Sequence, residues 1–207
     1  MRKILYLLLI FSYTSVGQTN GDYKRIIDSL RQQIPNTSHQ EKISIYLSIS
    51  DHYLITSADS AWHYAEKAHA IALRQNLVKE KAESMLQLGK VYYAIDNHQR
   101  AIDLLVHTIN IFEGLKDSTN LFQVYNYLGY IYFDIEEYDK ALEYQNLSLQ
   151  IEKNIENQRE TAQRLMDIGS VHENSGKYQK ALAYYNQAFI LFEEMGDKEG
   201  EADVLNN

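Results

Sequence analysis

Residues 127–144 read YLGYIYFDIEEYDKALEY. Gly129 sits inside a segment otherwise suited to a helix, and Ala141 follows twelve positions later. A glycine in a helix interior costs about 1 kcal/mol relative to alanine, so its presence asks for a reason. The reason lies in the rest of the chain. Glycine returns at 89, 129 and 169, in MLQLGKVYY, YNYLGYIYF and LMDIGSVHE. Alanine returns at 61, 101, 141 and 181, and every step in both series is 40 residues. Ser50, in YLSISDHYL, stands in the first glycine's place one residue late. A comb of small residues at a fixed period marks a repeat protein.

Each unit reads as two helices. The first carries large residues at i, i+3 and i+7: Tyr46, Ile49 and Tyr53; Met85, Leu88 and Tyr92; Tyr125, Leu128 and Tyr132; Leu165, Ile168 and His172. That spacing gives a helix one apolar face. The second helix starts near the alanine and runs about four turns. Polar connectors of turn-forming composition separate the units, as in KDSTN (116–120), NQRET (157–161) and GDKEG (196–200). Helices joined by short turns pack antiparallel, and successive pairs stack. The small residues are then contact points: Gly129 lets the paired helix close up, and Ala141 sits where the second helix meets the first.

The pattern resembles the tetratricopeptide repeat (TPR) family in a long variant. Its best copy is Leu165, Ile168 and Gly169, followed by Tyr178, Ala181, Tyr185 and Ala188. The resemblance covers about residues 43–207. The family's unit is about 34 residues, shorter than the period here, and its proline near the end of the second helix is missing. The resemblance implies an all-α, right-handed α-solenoid of antiparallel helix pairs. Units span about 43–78, 82–118, 122–158 and 162–198, and a fifth begins at 201–207. EADVLNN (201–207) matches the start of another first helix and stops before its glycine, which reads as a fragment of a longer protein.

Two segments lie outside the comb. DYKRIIDSLRQQI (22–34) puts Ile26, Ile27, Leu30 and Ile34 on one face, with Pro35 ending it. We read residues 18–36 as an N-terminal capping helix, and Ser38 with Glu41 as a capping box opening the next helix. At the start, Met1-Arg2-Lys3 precedes the apolar run ILYLLLIF (4–11), and Ser15-Val16-Gly17 offers small residues at a cut before Gln18. This is the plan of a secretory signal peptide over residues 1–17, the alternatives being an uncleaved anchor or a buried first helix. The apolar run is roughly half a membrane span.

Composition narrows the function. One proline, 45% hydrophobic and 23% charged residues fit a globular helical protein and not a disordered one. The formal charge of −8, with no basic run, removes the footprint of nucleic-acid binding. No cysteine means no disulfide, thiolate metal site or cysteine nucleophile. His63 and Glu66 are a metal-compatible pair, but two weak ligands make a poor site. His172 reads as a packed variant of a core aromatic. Glu136-Glu137 and Glu193-Glu194 are neighbours in sequence that do not face each other on a helix. There is no phosphate-binding loop and no nucleophile elbow. The chain is read as non-enzymatic, without cofactor or metal.

In the family resembled here, the first helices line a groove that takes peptides. Carried onto this sequence, the groove positions are Lys90 and Tyr93 in the second unit. In the third they are Asn126, Tyr127, Tyr130, Phe133 and Asp134, and in the fourth Asp167 and Glu173. Tyr130 is read as exposed, whereas Tyr127 and Phe133 stand between exposure and packing against the neighbouring unit. Exposed aromatics with polar tips are common interface anchors. The resulting expectation is a scaffold for a protein or peptide partner. It would be exported, periplasmic or periplasm-facing, and would form the sensory or regulatory part of a bacterial signalling protein with a histidine kinase or helix-turn-helix output. Membrane contact would come only through a downstream transmembrane helix. The alternatives are a free-standing periplasmic adaptor and a glycan-binding module stacking sugars on the tyrosines.

Overall fold

The structure is a computed structural model and describes residues 20–153 and 158–207. The segment read as a signal peptide lies outside them. Ten α-helices follow in order: α1 (Asn20–Gln33), α2 (His39–Tyr53), α3 (Ala58–Arg74), α4 (Val78–Ala94), α5 (His98–Leu115), α6 (Ser118–Asp134), α7 (Tyr138–Lys153), α8 (Gln158–Asn174), α9 (Tyr178–Met195) and α10 (Lys198–Leu205). A 3₁₀ turn over Ile34–Asn36 holds Pro35 after α1. There is no strand among the described residues.

The helix ends follow from local chemistry. Ser38 and Glu41 form the capping box, each side chain satisfying the other's backbone N–H at the start of α2. Ser57, Asp117 and Asp197 cap α3, α6 and α10 by accepting a bond from the backbone N–H three residues on. Among the described residues, six near helix C-termini take positive φ: Asn76, Asp96, Lys116, Glu136, Gly176 and Gly196. Consecutive members are 20 or 40 residues apart. The left-handed conformation lets the turn after each helix cap its last carbonyls.

The described residues form two compact bodies, divided after Leu104. In the first body, α1 lays Ile27 on Ile45 and Ile49 of α2, with Leu30, Tyr53 and Tyr64 around them. Ile43 packs on Ala68 and Ala72 of α3. Ser50 is fully buried, and its Oγ donates to the carbonyl of Ala61 at 2.7 Å. A small hydroxyl bonded across the helix pair thus occupies the place that glycine holds elsewhere.

In the second body, one core joins Leu149, Ala162, Leu165, Ile168, Ala181, Tyr185, Ala188, Phe192 and Val204 across α7 to α10. Gly129 and Gly169 sit in this region because the partner helix leaves no room. A Cβ on Gly129 would lie 2.7 Å from the Gln145 amide, and one on Gly169 would lie 2.6 Å from the Tyr185 ring. Ala141 is fully buried at the pair's interface, but the group facing Gly129 is Gln145, one turn further along α7. Around these contacts the aromatics stack between paired helices. Tyr132 lies on Tyr144 with centroids 5.5 Å apart and planes at 3°. His172 lies on Tyr184 at 5.3 Å and 25°, as a packed substitute for an aromatic.

Candidate partner-binding face

In each body, consecutive first helices are bridged by polar side chains. In the first body, Gln87 of α4 donates to Ser50 Oγ of α2 at 3.2 Å. Lys90 Nζ stands 3.6 Å from Asp51, whose side chain is largely exposed. Burial lowers the Lys90 pKa, and Asp51 pulls it back up. Near the other end of the same helix pair, Gln40 donates to Glu80 at 2.7 Å.

The second body carries a denser network between α6 and α8. The Arg164 guanidinium is buried at 2.7 Å from Asp167 Oδ2 and donates to the Tyr130 hydroxyl at 2.7 Å. It also donates to the Asn126 amide oxygen. The Tyr130 hydroxyl donates to Asp167 Oδ2 at 3.1 Å, and Gln163 donates to Oδ1 at 3.3 Å. Burial raises the Asp167 pKa, while Arg164 acts to lower it. The Tyr130 hydroxyl is pushed well above its ordinary value by the same burial. An ion pair out of water needs its remaining hydrogen-bonding capacity filled, and Asn126, Tyr130 and Gln163 fill it.

These contacts correct the sequence reading. Tyr130 is 5% exposed and belongs to the inter-helix network, not to a free surface. Its position faces the next first helix, and Arg164 gives its hydroxyl a partner there. Tyr127 and Tyr93 are also buried, and Tyr127 meets Tyr130 edge-on at 6.4 Å. Packing therefore decides for Tyr127, and a flat tyrosine platform for sugar stacking is gone. Asp167 is buried in the same network. Asn126, Phe133, Asp134 and Glu173 remain half-buried, as does Lys90. Phe133 contacts Tyr138 at 6.0 Å, and Glu173 accepts from the Tyr185 hydroxyl at 2.8 Å.

Spacing does not single out Arg164, because its place is a core position in other first helices, where Ser84 and Val124 stand. A cation in a slot that otherwise holds small or apolar side chains signals a buried pair, and Asp167 at i+3 is the matching anion. Among the described residues no group of three or more potential ligands could hold a metal, and no helix is long and apolar enough to cross a membrane.

A family model described as SusR N-terminal TPR domain matches residues 22–138. A tetratricopeptide repeat model matches residues 120–194. Among solved structures, BtubC from P. vanneervenii is 21% identical with a TM-score of 0.73, covering 86% of this chain and 76% of that one. A signal-transduction ATPase with a tetratricopeptide repeat sensor from Pyrococcus horikoshii is 20% identical with a TM-score of 0.78, covering 89% and 29%. A Rap protein complexed with competence and sporulation factor is 16% identical with a TM-score of 0.78, covering 89% and 53%. The chain thus spans about half or less of the last two proteins. No curated protein shows significant similarity to it. The fold is all-α, of the TPR-like solenoid class built from antiparallel helix pairs.

Proposed function

The chain belongs to the SusR N-terminal TPR domain family, and from that premise we propose that it is a non-enzymatic scaffold for a protein or peptide partner. The supporting observation is the α6–α8 face. There the buried Arg164–Asp167–Tyr130 network sets two first helices side by side, and Asn126, Phe133, Asp134 and Glu173 stand half-buried around it. Polar groups held by a rigid frame suit recognition of an extended backbone. The Rap protein complexed with competence and sporulation factor supports a bound partner by analogy of fold.

We further propose that this scaffold is exported and forms the sensory or regulatory part of a larger bacterial signalling protein. The signal-like pattern of residues 1–17 and the tetratricopeptide repeat sensor of the Pyrococcus horikoshii protein support this reading. A photo-crosslinking amino acid placed singly at Asn126, Phe133 or Trp62 tests the binding face. Adducts at Asn126 and Phe133 but not at Trp62, which lies on α3, are expected. Adducts at Trp62 alone would overturn the assignment. Export is tested with alkaline phosphatase fused after Asn207. The fusion should be active only when residues 1–17 are kept.

A further inference from the structure

In two helix pairs the tyrosine near the end of the first helix carries a cation from the second helix. The Arg100 guanidinium lies 5.5 Å from the Tyr92 ring centre, and Lys140 Nζ lies 5.0 Å from that of Tyr132. In the first pair the tyrosine is Tyr53, but Ser60 stands where Arg100 and Lys140 do. The cation comes instead from α1. Arg31 lies 6.0 Å from the Tyr53 ring centre and 5.7 Å from that of Tyr64, and the two rings stack at 5.9 Å and 12°. Its Nε donates to the Tyr64 hydroxyl at 2.9 Å and its Nη2 to the Tyr53 hydroxyl at 3.0 Å. Its Nη1 donates to Asp28 Oδ1 at 3.4 Å. Arg31 is thereby spent on docking α1.

Beside it an open cleft of about 400 Å³ lies between α1 and the end of α2. Lys24, Asp28 and Arg31 line one wall, and Tyr53 and Thr56 line the other. On α1 these three are spaced i, i+4 and i+7, which puts them on one helix face. Docking of α1 uses neither Lys24 nor Thr56. Both are exposed, and neither side chain has a partner among the described residues. Tyr53 accepts from Arg31 and keeps its own proton to give. A phenol that accepts from a cation is the stronger donor for it. Three donors thus line one cleft, while its one carboxylate, Asp28, is already turned to Arg31. Tyr23 and Ile27 add apolar surface to the same lining. A few polar groups set on an apolar wall, in a cleft of this size, have the form of a small-molecule site.

We propose that this cleft binds a small organic carboxylate with an apolar or aromatic body. The carboxylate takes charge-assisted bonds from the Lys24 ammonium and ordinary ones from the Tyr53 and Thr56 hydroxyls. The body lies against Tyr23 and Ile27. Because α1 supplies one wall, occupancy also fastens α1 to α2. The site belongs to the first body and is independent of the α6–α8 face.

The test uses para-fluorobenzoate, with para-fluorobenzamide as its uncharged counterpart, followed by fluorine NMR with the whole chain. The benzoate should give saturable line broadening and the amide none. Lys24→Gln should weaken benzoate binding about tenfold and leave the circular dichroism unchanged. Lys140→Gln, which removes a cation outside the cleft, should bind as the parent chain does. An equal response to the two compounds overturns the proposal, as does no saturable response to the benzoate at millimolar concentration. Equal losses in Lys24→Gln and Lys140→Gln also overturn it, because the benzoate would then be following surface charge and not this cleft.

Discussion

The two bodies bridge their first helices at the same register with different chemistry. Gln87 reaches Ser50, and Asp167 reaches Tyr130, each across a separation of 37 residues. In the first body the bridge is a neutral bond, and a charge pair beside it puts Lys90 against a largely exposed Asp51. In the second body a buried ion pair within α8, Arg164–Asp167, is tied across to α6 by Tyr130 and Asn126, with Gln163 completing its hydrogen bonds. Losing a partner from the neutral bridge leaves one buried uncharged polar group unsatisfied. Losing Arg164 leaves a buried charge uncompensated, which costs more. The second body is thus held to one arrangement more stringently, although both have the same helix plan.

The largest break in this comparison is Arg164→Met. It strands Asp167 and should destabilise by about 3–5 kcal/mol, whereas Lys90→Met should cost about 1 kcal/mol or less. Urea unfolding of the two variants would measure the contrast, and equal losses would show that the bridges are equivalent. The double variant Arg164→Met/Asp167→Leu should recover most of the loss.

Next comes the pair of glycines. Gly169→Ala drives a methyl into the Tyr185 ring and should cost about 1–3 kcal/mol. Gly129→Ala crowds the buried Gln145 side chain from its amide back to Cγ, but that chain is unbranched and a gain in helix propensity of about 1 kcal/mol offsets part of the crowding, so a smaller loss is expected. Thermal melts of both variants would separate them.

A smaller effect is pH-dependent. Burial, with Lys180 and Lys177 nearby, holds the His172 pKa below its ordinary value. A histidine depressed by folding adds stability above its unfolded pKa of about 6.5, and that stability drains away as pH falls through the folded value. His172→Tyr should therefore flatten the loss of stability between about pH 7 and 5, read by melts across that range. An unchanged slope would place the titration elsewhere.

The smallest effect concerns Glu136, which holds φ at +64°. Glu136→Gly should stabilise by several tenths of a kcal/mol, up to about 1. Relief of left-handed strain exceeds the added chain entropy.

Much of the fold could be read from spacing, because Gly129, Ala141 and Tyr132 serve packing that every pair must repeat. The candidate face was less legible. Tyr130 reads as exposed when its own helix alone is considered, since it lies off that helix's apolar stripe. Its burial depends on what the next first helix presents, and that is Arg164, a single residue with no counterpart in other units. Periodicity reports what repeats, and this network is the part that does not. Gly129 misled in a milder way. Spacing ties it to the pair's closeness, but its partner is Gln145, whose side chain reaches across by a path no spacing rule encodes.

The left-handed residues carry one more consequence. They fall at 76, 96, 116, 136, 176 and 196, so the chain is metred in twenties, each beat reversing its direction. Cutting out 40 residues between equivalent beats would bring like faces together and leave the helices in phase. Cutting out 20 would set a first helix where a second belongs and turn its aromatic ladder away from the core. For this molecule, the natural unit of gain or loss in evolution is the double beat.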